Sequence, residues 1–439
     1  MFGLRLGKLG AAIKAGTGSV GVVPLFSRDY EAAGSLGANA TFARSSSATI
    51  IDHEGVIRTV PSGAARFNGL RYVRNLYTKT EDFSYAGWTK TLCTVASGYT
   101  DPDGGSTAWR ITSTGSGLVI LKGFNISLAD GTELLNSWWV RRVTGSGNVL
   151  LYTGGGFATT GISPTSSWQR FVANKGTTTS GTDVIGILIT GATASDVIEV
   201  WHPQYEDVTG RADTATPSEY VSVGVESSPY HGANVDGIKY FATENGNSVV
   251  SNVVTEGTGA AIVGGYLLME PAATNLADGG HDFGGGADTI TLSATGNYTL
   301  SVYGTAAVTI AAGTATITGG GQATEGSPVT INCTATGTVT LTLDSGTLDT
   351  VDEKQAIQLE PGTVATSLIP TSGSAVTRAA DSLSYSGAWA ADNETRAITD
   401  AGTVDVDDWD GVVDATINGA DNLAQISSIT VYTTGDRPA

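Results

Sequence analysis

One ending is written twice in this chain, as QYEDVTGRADTATPSEY at 204–220 and QLEPGTVATSLIPTSG at 358–373. Each opens on Gln, a bulky apolar residue and Glu, and each runs through small polar residues to a proline, Pro217 in the first and Pro370 in the second. The matches continue upstream. YVRNLYTKTEDFS at 72–84 and LMEPAATNLADGGHDF at 268–283 both place Asn-Leu, at Asn75 and Asn275, before an acidic and aromatic stretch. Further upstream, ATIIDHEGVIRTV at 48–60 and KYFATENGNSVVSNVV at 239–254 each set a polar turn ending in Gly between apolar runs, which is a hairpin signal. A plan that recurs in this order predicts two copies of one module, each ending in a last strand and an exit linker. The second copy is the shorter.

The strands themselves are legible as alternation. TITLSATGNYTLSVYG at 289–304 and GTVTLTLDSGTL at 337–348 switch between apolar and hydroxyl residues at period two. Only 15% of the 439 residues are charged and 59 are Gly, so surface helix formers are scarce and tight turns abundant. The fold class expected is all-β, as tandem jelly-roll or β-sandwich modules joined by hairpin-containing linkers in an elongated oligomer. A net charge of −19 leaves no cationic footprint for nucleic acid. Two cysteines, Cys93 and Cys333, form no disulfide framework and read as free thiols. In MFGLRLGKLGAAIKAGTGSVGV the apolar run of a signal peptide is interrupted by Lys8 and Lys14, and no window reaches membrane-spanning length. Residues 1–27 read instead as a docking arm.

Chemistry is sparse. His53, His202, His231 and His281 stand apart, without zinc spacing, and neither a nucleophile elbow nor a phosphate loop occurs. The aspartates of TDPDGG (100–105) and DVDDWDG (405–411) lack the ligand spacing of a calcium loop and read as Asp-Gly turns. No enzyme, metal or cofactor is expected. The first copy holds Trp88, Trp109, Trp138, Trp139, Trp168 and Trp201, leaving Trp389 and Trp409 for later. Trp88, Trp109 and Trp168 read as core. In NSWWVRRV (136–143) alternation sends Trp138 and Trp139 to opposite faces, so one of them is left for the open side. An indole beside a guanidinium suits a sugar, because the ring stacks on C–H groups and Arg donates to hydroxyls. Trp139 with Arg141, completed by Tyr152 from the next strand, is the candidate carbohydrate platform; the competing reading has Trp139 covered by a neighbouring module or subunit.

Several stretches, ATFARSSSATIIDHEGVIRTV, RNLYTKTEDFSYAGWTKT, TDPDGGSTAWRIT and IQLEPGTVATSLIPTSGSAVTRAADSLSY, resemble segments of tailed-bacteriophage virion structural proteins. SEYVSVGVESSPYHGANVDGIKYF (218–241) is similar to a linker between such modules, and LAQISSITVYTTGDRP (423–438) resembles the last strand of a lectin-like sandwich. The resemblance implies carbohydrate-binding-module-like β-sandwiches within a trimeric tail fibre, tailspike or head fibre. The expected organisation is a virion-docking arm (1–27), a β-hairpin region (28–74), a first carbohydrate-binding-like sandwich (75–217), a linker with a hairpin (218–274), a second, shortened sandwich (275–373) and a truncated lectin-like region (374–439). The expected role is a virion surface protein whose first sandwich binds host polysaccharide and whose arm contacts other virion proteins, with no membrane insertion. The alternative is a capsid-attached head fibre or decoration protein that only stabilises the assembly.

Overall fold

The computed structural model describes residues 26–29, 34–37, 40–126, 128–129, 131–153, 158–177, 183–224, 235–246, 259–277, 287–352, 354–385, 393–399, 402–406, 415–418 and 424–433. Among them every regular element is a strand, so the chain is all-β.

Two sandwiches are built from consecutive antiparallel strands. In the first, one sheet orders Gln169–Thr177, Glu133–Thr144, Val197–Asp207, Ala108–Ser113 and Cys93–Tyr99. Its partner sheet orders Ala158–Ile162, Asn148–Thr153, Asp183–Ala192, Gly117–Ile126 and Thr89–Thr91. Alternation sends Trp138, Val140, Ile198 and Val200 of one sheet against Val119, Leu121, Leu151 and Ile187 of the other, all buried. Trp88 and Trp109 join this core as expected. The second sandwich faces Ala287–Leu292, Gly337–Ser345, Ala307–Ala312 and Gly321–Thr324 with Thr316–Gly319, Val329–Ala335, Gly296–Val302 and Ile357–Pro361. Its core is made of smaller residues, including Ile290, Leu300, Val308, Ile331 and Leu341. Cys93 and Cys333 are free thiols, and Cys333 is buried in this second core.

The repeated residues turn out to be a buried polar latch, made the same way twice. Asn75 donates from Nδ2 to the carbonyls of Pro203 and Val221 at 3.0 and 2.8 Å, and its Oδ1 accepts from the amides of Tyr77 and Tyr205. Asn275 donates to Ile357 and Ile369, both at 2.8 Å, and accepts from Ala277 and Leu359. Each side-chain amide thereby fills all four of its hydrogen-bonding positions. Gln204 donates to Glu206 Oε1 at 2.9 Å and accepts from the Val221 amide at 2.7 Å, while Gln358 does the same with Glu360 at 2.7 Å and Ile369 at 2.6 Å. The glutamates in turn accept from the amides of Ser218 and Thr366. The motif fastens the first residues of a module, its last strand and the outgoing chain to one another.

The segments outside the sandwiches pair across long separations. Ile238–Phe241 lies on Arg71–Arg74, Tyr266–Met269 on Phe67–Asn68, and Ala40–Ala43 on Ser382–Tyr385. The strands of 374–439 do not stand apart as a region of their own: Ala424–Thr433 pairs with Phe26–Asp29 and Tyr266–Met269, and Val376–Arg378 pairs with Ala273–Asn275. Of the expected docking arm, residues 1–25 lie outside the described residues, and Phe26 and Ser27 open a strand. The second arm of the expected 239–254 hairpin, from 247 onward, also lies outside them. A buried ion cluster joins these segments. Arg66, at 0% exposure, donates to Glu270 Oε2 at 2.6 Å and also pairs with Asp381, which accepts from Arg44 at 3.1 Å.

Candidate functional site

The strand Glu133–Thr144 does place Trp138 and Trp139 on opposite faces, yet both are fully buried. Trp138 lies between the sheets, stacked on Phe83 and donating to Asn136 Oδ1 at 3.0 Å. Trp139 lies on the outer face of its sheet, where Trp168, Trp201, Ala108 and Tyr99 close over it. Trp168, expected in the main core, belongs to this outer cluster. Tyr152 is in the partner sheet, opposite Thr159 and Gly186, and it is 6% exposed. Its neighbour Leu151 points into the core, so Tyr152 points to that sheet's outer side, across the sandwich from Trp139. The three residues therefore do not form one open platform. The correction has a simple cause: strand alternation assigns Trp139 to the outer face, but two further tryptophans on that face cover it.

Arg141 remains at the surface, with its side chain 27% exposed. Its Nε donates to Glu199 Oε2 at 2.6 Å, and its guanidinium sits 4.9 Å from the centre of the Trp168 ring. Arg110 approaches the same carboxylate from the other side, its Nε at 3.0 Å from Glu199 Oε1, and lies 3.8 Å over Tyr99. The guanidiniums thus cap the aromatic rings a sugar would need, and the buried Glu199 holds both in place.

An open cleft lies elsewhere, beside the first hairpin. The hairpin Ala48–Ile51 and Ile57–Val60 turns through Asp52, whose Oδ1 accepts from the amides of Glu54 and Val56, both at 3.0 Å. Asp52 Oδ2 takes Arg58 Nε at 2.9 Å, and Arg58 Nη1 reaches the Thr209 carbonyl of the first sandwich's exit at 2.7 Å. On the other side, Thr59 Oγ1 donates to Asp352 Oδ2 at 2.7 Å, tying the hairpin to the turn between Thr350–Val351 and Lys354–Gln355. Asp352 holds a left-handed φ of 50° there, a conformation that Asp tolerates better than most residues. Between these three segments opens a cleft of about 470 Å³ lined by Arg58, Thr59, Thr132, Asp207, Thr209, Asp349, Thr350 and Asp352, among others. A second recess of about 190 Å³ shares Arg58, Thr59, Asp207 and Asp352 with it and adds Tyr72, Arg74 and Arg211. Arg58 Nη2 is buried and has no acceptor.

Carboxylates, hydroxyls and guanidiniums interleaved along one cleft can accept from and donate to the vicinal hydroxyls of a polyol. Sequence reading missed this site because its walls come from residues near 58, 132, 208 and 351, and only the Asp52–Gly55 turn carried a signal. The Asp101 loop binds its own backbone: Asp101 accepts from the amides of Asp103, Gly105 and Thr107. Among the described residues no group of three or more His, Cys, Asp or Glu could hold a metal ion. Most of DVDDWDG lies outside them.

No protein-family model matches the chain, and no curated protein matches it. Among solved structures it is similar to TmCBM61 in complex with β-1,4-galactotriose, at 15% identity and a TM-score of 0.24, over 30% of this chain and 97% of that one. It is also similar to the CBM22-1–CBM22-2 tandem domain of Paenibacillus barcinonensis Xyn10C, at 11% identity and a TM-score of 0.24, over 66% and 98% of the two chains. The arabinose-bound α-L-arabinofuranosidase MgGH51 matches at 15% identity and a TM-score of 0.25, over 38% of this chain and 32% of that one. Likenesses this slight assign neither a ligand nor an activity to this chain.

Proposed function

We propose that this chain is a non-catalytic surface protein of a tailed-phage virion, of tail-fibre or spike type, that holds host polysaccharide in the cleft at the junction of its modules. The observation that carries the binding reading is that cleft of about 470 Å³, with Arg58, Asp207 and Asp352 interleaved with threonine hydroxyls on its walls. The virion assignment, the docking of residues 1–27 to other virion proteins and a homotrimeric assembly rest on the sequence resemblance. Repeated sites in a trimer would multiply a weak individual affinity into useful avidity.

The test is a glycan array read with the full chain, followed by titration of the best hit against two variants. Asp352→Ala removes an exposed acceptor of the cleft and is expected to weaken binding roughly tenfold, the scale of one hydrogen bond to a charged group. Trp139→Phe is expected to leave binding unchanged. If Trp139→Phe weakened binding while Asp352→Ala did not, the site would be the aromatic face and the cleft assignment would fall.

A second reading, an assembly-stabilising head fibre or decoration protein, is favoured by the burial of all six tryptophans of the first sandwich at 9% exposure or less. Immunogold labelling of particles with an antibody against residues 72–220 separates the two. Label at the tail tip supports receptor binding, label over the capsid supports the structural role, and particles without label remove the virion assignment.

A further inference from the structure

Asn-Gly pairs stand at 68–69, 245–246 and 418–419. Such a pair can react with itself, because glycine carries no side chain to hinder its nitrogen from closing a five-membered ring on the asparagine amide. Gly419 lies outside the described residues. Asn68 is clamped at both ends of its side chain: Oδ1 accepts from the Ile51 amide at 3.1 Å, and Nδ2 donates to the Tyr266 hydroxyl at 3.0 Å. The Gly69 N–H donates to the Ile51 carbonyl at 2.9 Å, and a carbonyl takes no proton at neutral pH.

The pair at 245–246 is set differently. Both residues are exposed. The Gly246 N–H donates to Glu219 Oε1 at 3.2 Å, and Glu219 itself is 1% exposed. The other oxygen of that carboxylate is paired with Arg71, which also donates from Nε to the Thr243 carbonyl at 2.9 Å. Asn245 Nδ2 donates to the Pro217 carbonyl at 3.1 Å. A carboxylate at this distance is within reach of the proton that must leave. Because the peptide unit is planar, the proton departs in the plane while the nitrogen attacks perpendicular to it, so the base does not block the approach.

We infer that Asn245 is a self-modification site, at which the Gly246 nitrogen attacks the Asn245 side chain with Glu219 as general base. The Gly246 N–Cγ bond forms, and the proton of Gly246 passes to Glu219. The Cγ–Nδ2 bond then breaks, and Nδ2 takes up a proton and leaves as ammonia. Water opens the resulting succinimide to aspartate or isoaspartate. The product loses the donor to Pro217 and sets a new negative charge beside Glu219. The reaction thereby loosens residues 243–246 from the exit of the first sandwich.

The test incubates the full chain near neutral pH, folded and in guanidinium, and follows the peptides that hold Asn68 and Asn245 by mass spectrometry. Asn245 is expected to gain the mass of amide-to-acid exchange several-fold faster in the folded chain than in the denatured one, and Asn68 several-fold slower. Hydroxylamine present during incubation should cut the folded chain after Asn245, which reports the succinimide itself. Glu219→Gln keeps an acceptor but no base and should slow the folded reaction several-fold. Should that variant fail to fold, the folded and denatured rates of the unaltered chain decide. Conversion of Asn245 no faster in the folded chain than in the denatured one, or conversion without hydroxylamine cleavage, would overturn the assignment.

Discussion

Asn75→Ala is expected to lower the stability of the first sandwich by about 3–6 kcal/mol, because it strands two carbonyls and two amides that are buried and otherwise satisfied, at about 1–3 kcal/mol for each group that no water reaches. Asn275→Ala should do the same to the second sandwich, since its four bonds are laid out alike. The two effects can be read separately. All six tryptophans of the first module lie between Trp88 and Trp201, and none lies in 275–373. Denaturant unfolding followed by tryptophan fluorescence should therefore report the Asn75 variant, while far-ultraviolet circular dichroism also reports Asn275→Ala. A loss below about 1 kcal/mol in both variants would show that water replaces the side-chain amide, and the latch would be a decoration on a fold held by its cores.

Arg66→Ala should be comparably damaging, at about 3–5 kcal/mol, because it leaves Glu270 and Asp381 buried with one fewer cation. Both carboxylates are at most 1% exposed. Arg44 and Arg378 remain nearby, but Arg378 lies 3.3 Å from Glu270 Oε2 without a hydrogen-bonding geometry. The cluster also predicts acid lability. Burial alone would raise the Glu270 carboxyl, but Arg66 and Arg378, with the Ser367 hydroxyl, outweigh it and hold it below its ordinary value of 4.5. A carboxyl whose folded value is depressed contributes stability that is present above the unfolded value and lost as pH falls through the folded one. Melting midpoints should be level above about pH 5 and fall below it, and Arg66→Ala should flatten that fall. An unchanged acid limb in Arg66→Ala would assign the loss to other carboxylates.

Much of the architecture was readable one strand at a time. Period-two runs such as TITLSATGNYTLSV became the strands Ala287–Leu292 and Gly296–Val302, and the turns at Asp103-Gly104 and Glu54-Gly55 join paired strands because their backbone demands are local. The repeated Gln-x-Glu and Asn-Leu were visible as a duplication, although their work as a latch was not, since Asn75 meets Val221 only after the whole module has folded. The candidate platform failed for a related reason. Alternation correctly split Trp138 from Trp139, but it could not say that Trp168 and Trp201 would close over Trp139 or that Tyr152 would enter the opposite sheet.

Local residue chemistry, then, dictated the strands, the turns, the all-β class and the duplicated plan, because steric alternation and turn preferences act over a few residues. Long-range pairing decided the rest. It joined Ala424–Thr433 to Phe26–Asp29, buried Arg66 against Glu270 and Asp381, and opened a cleft between Arg58, Asp207 and Asp352. Those contacts depend on which faces lose water together, and that is set by the packing of whole sheets rather than by any one stretch of chain.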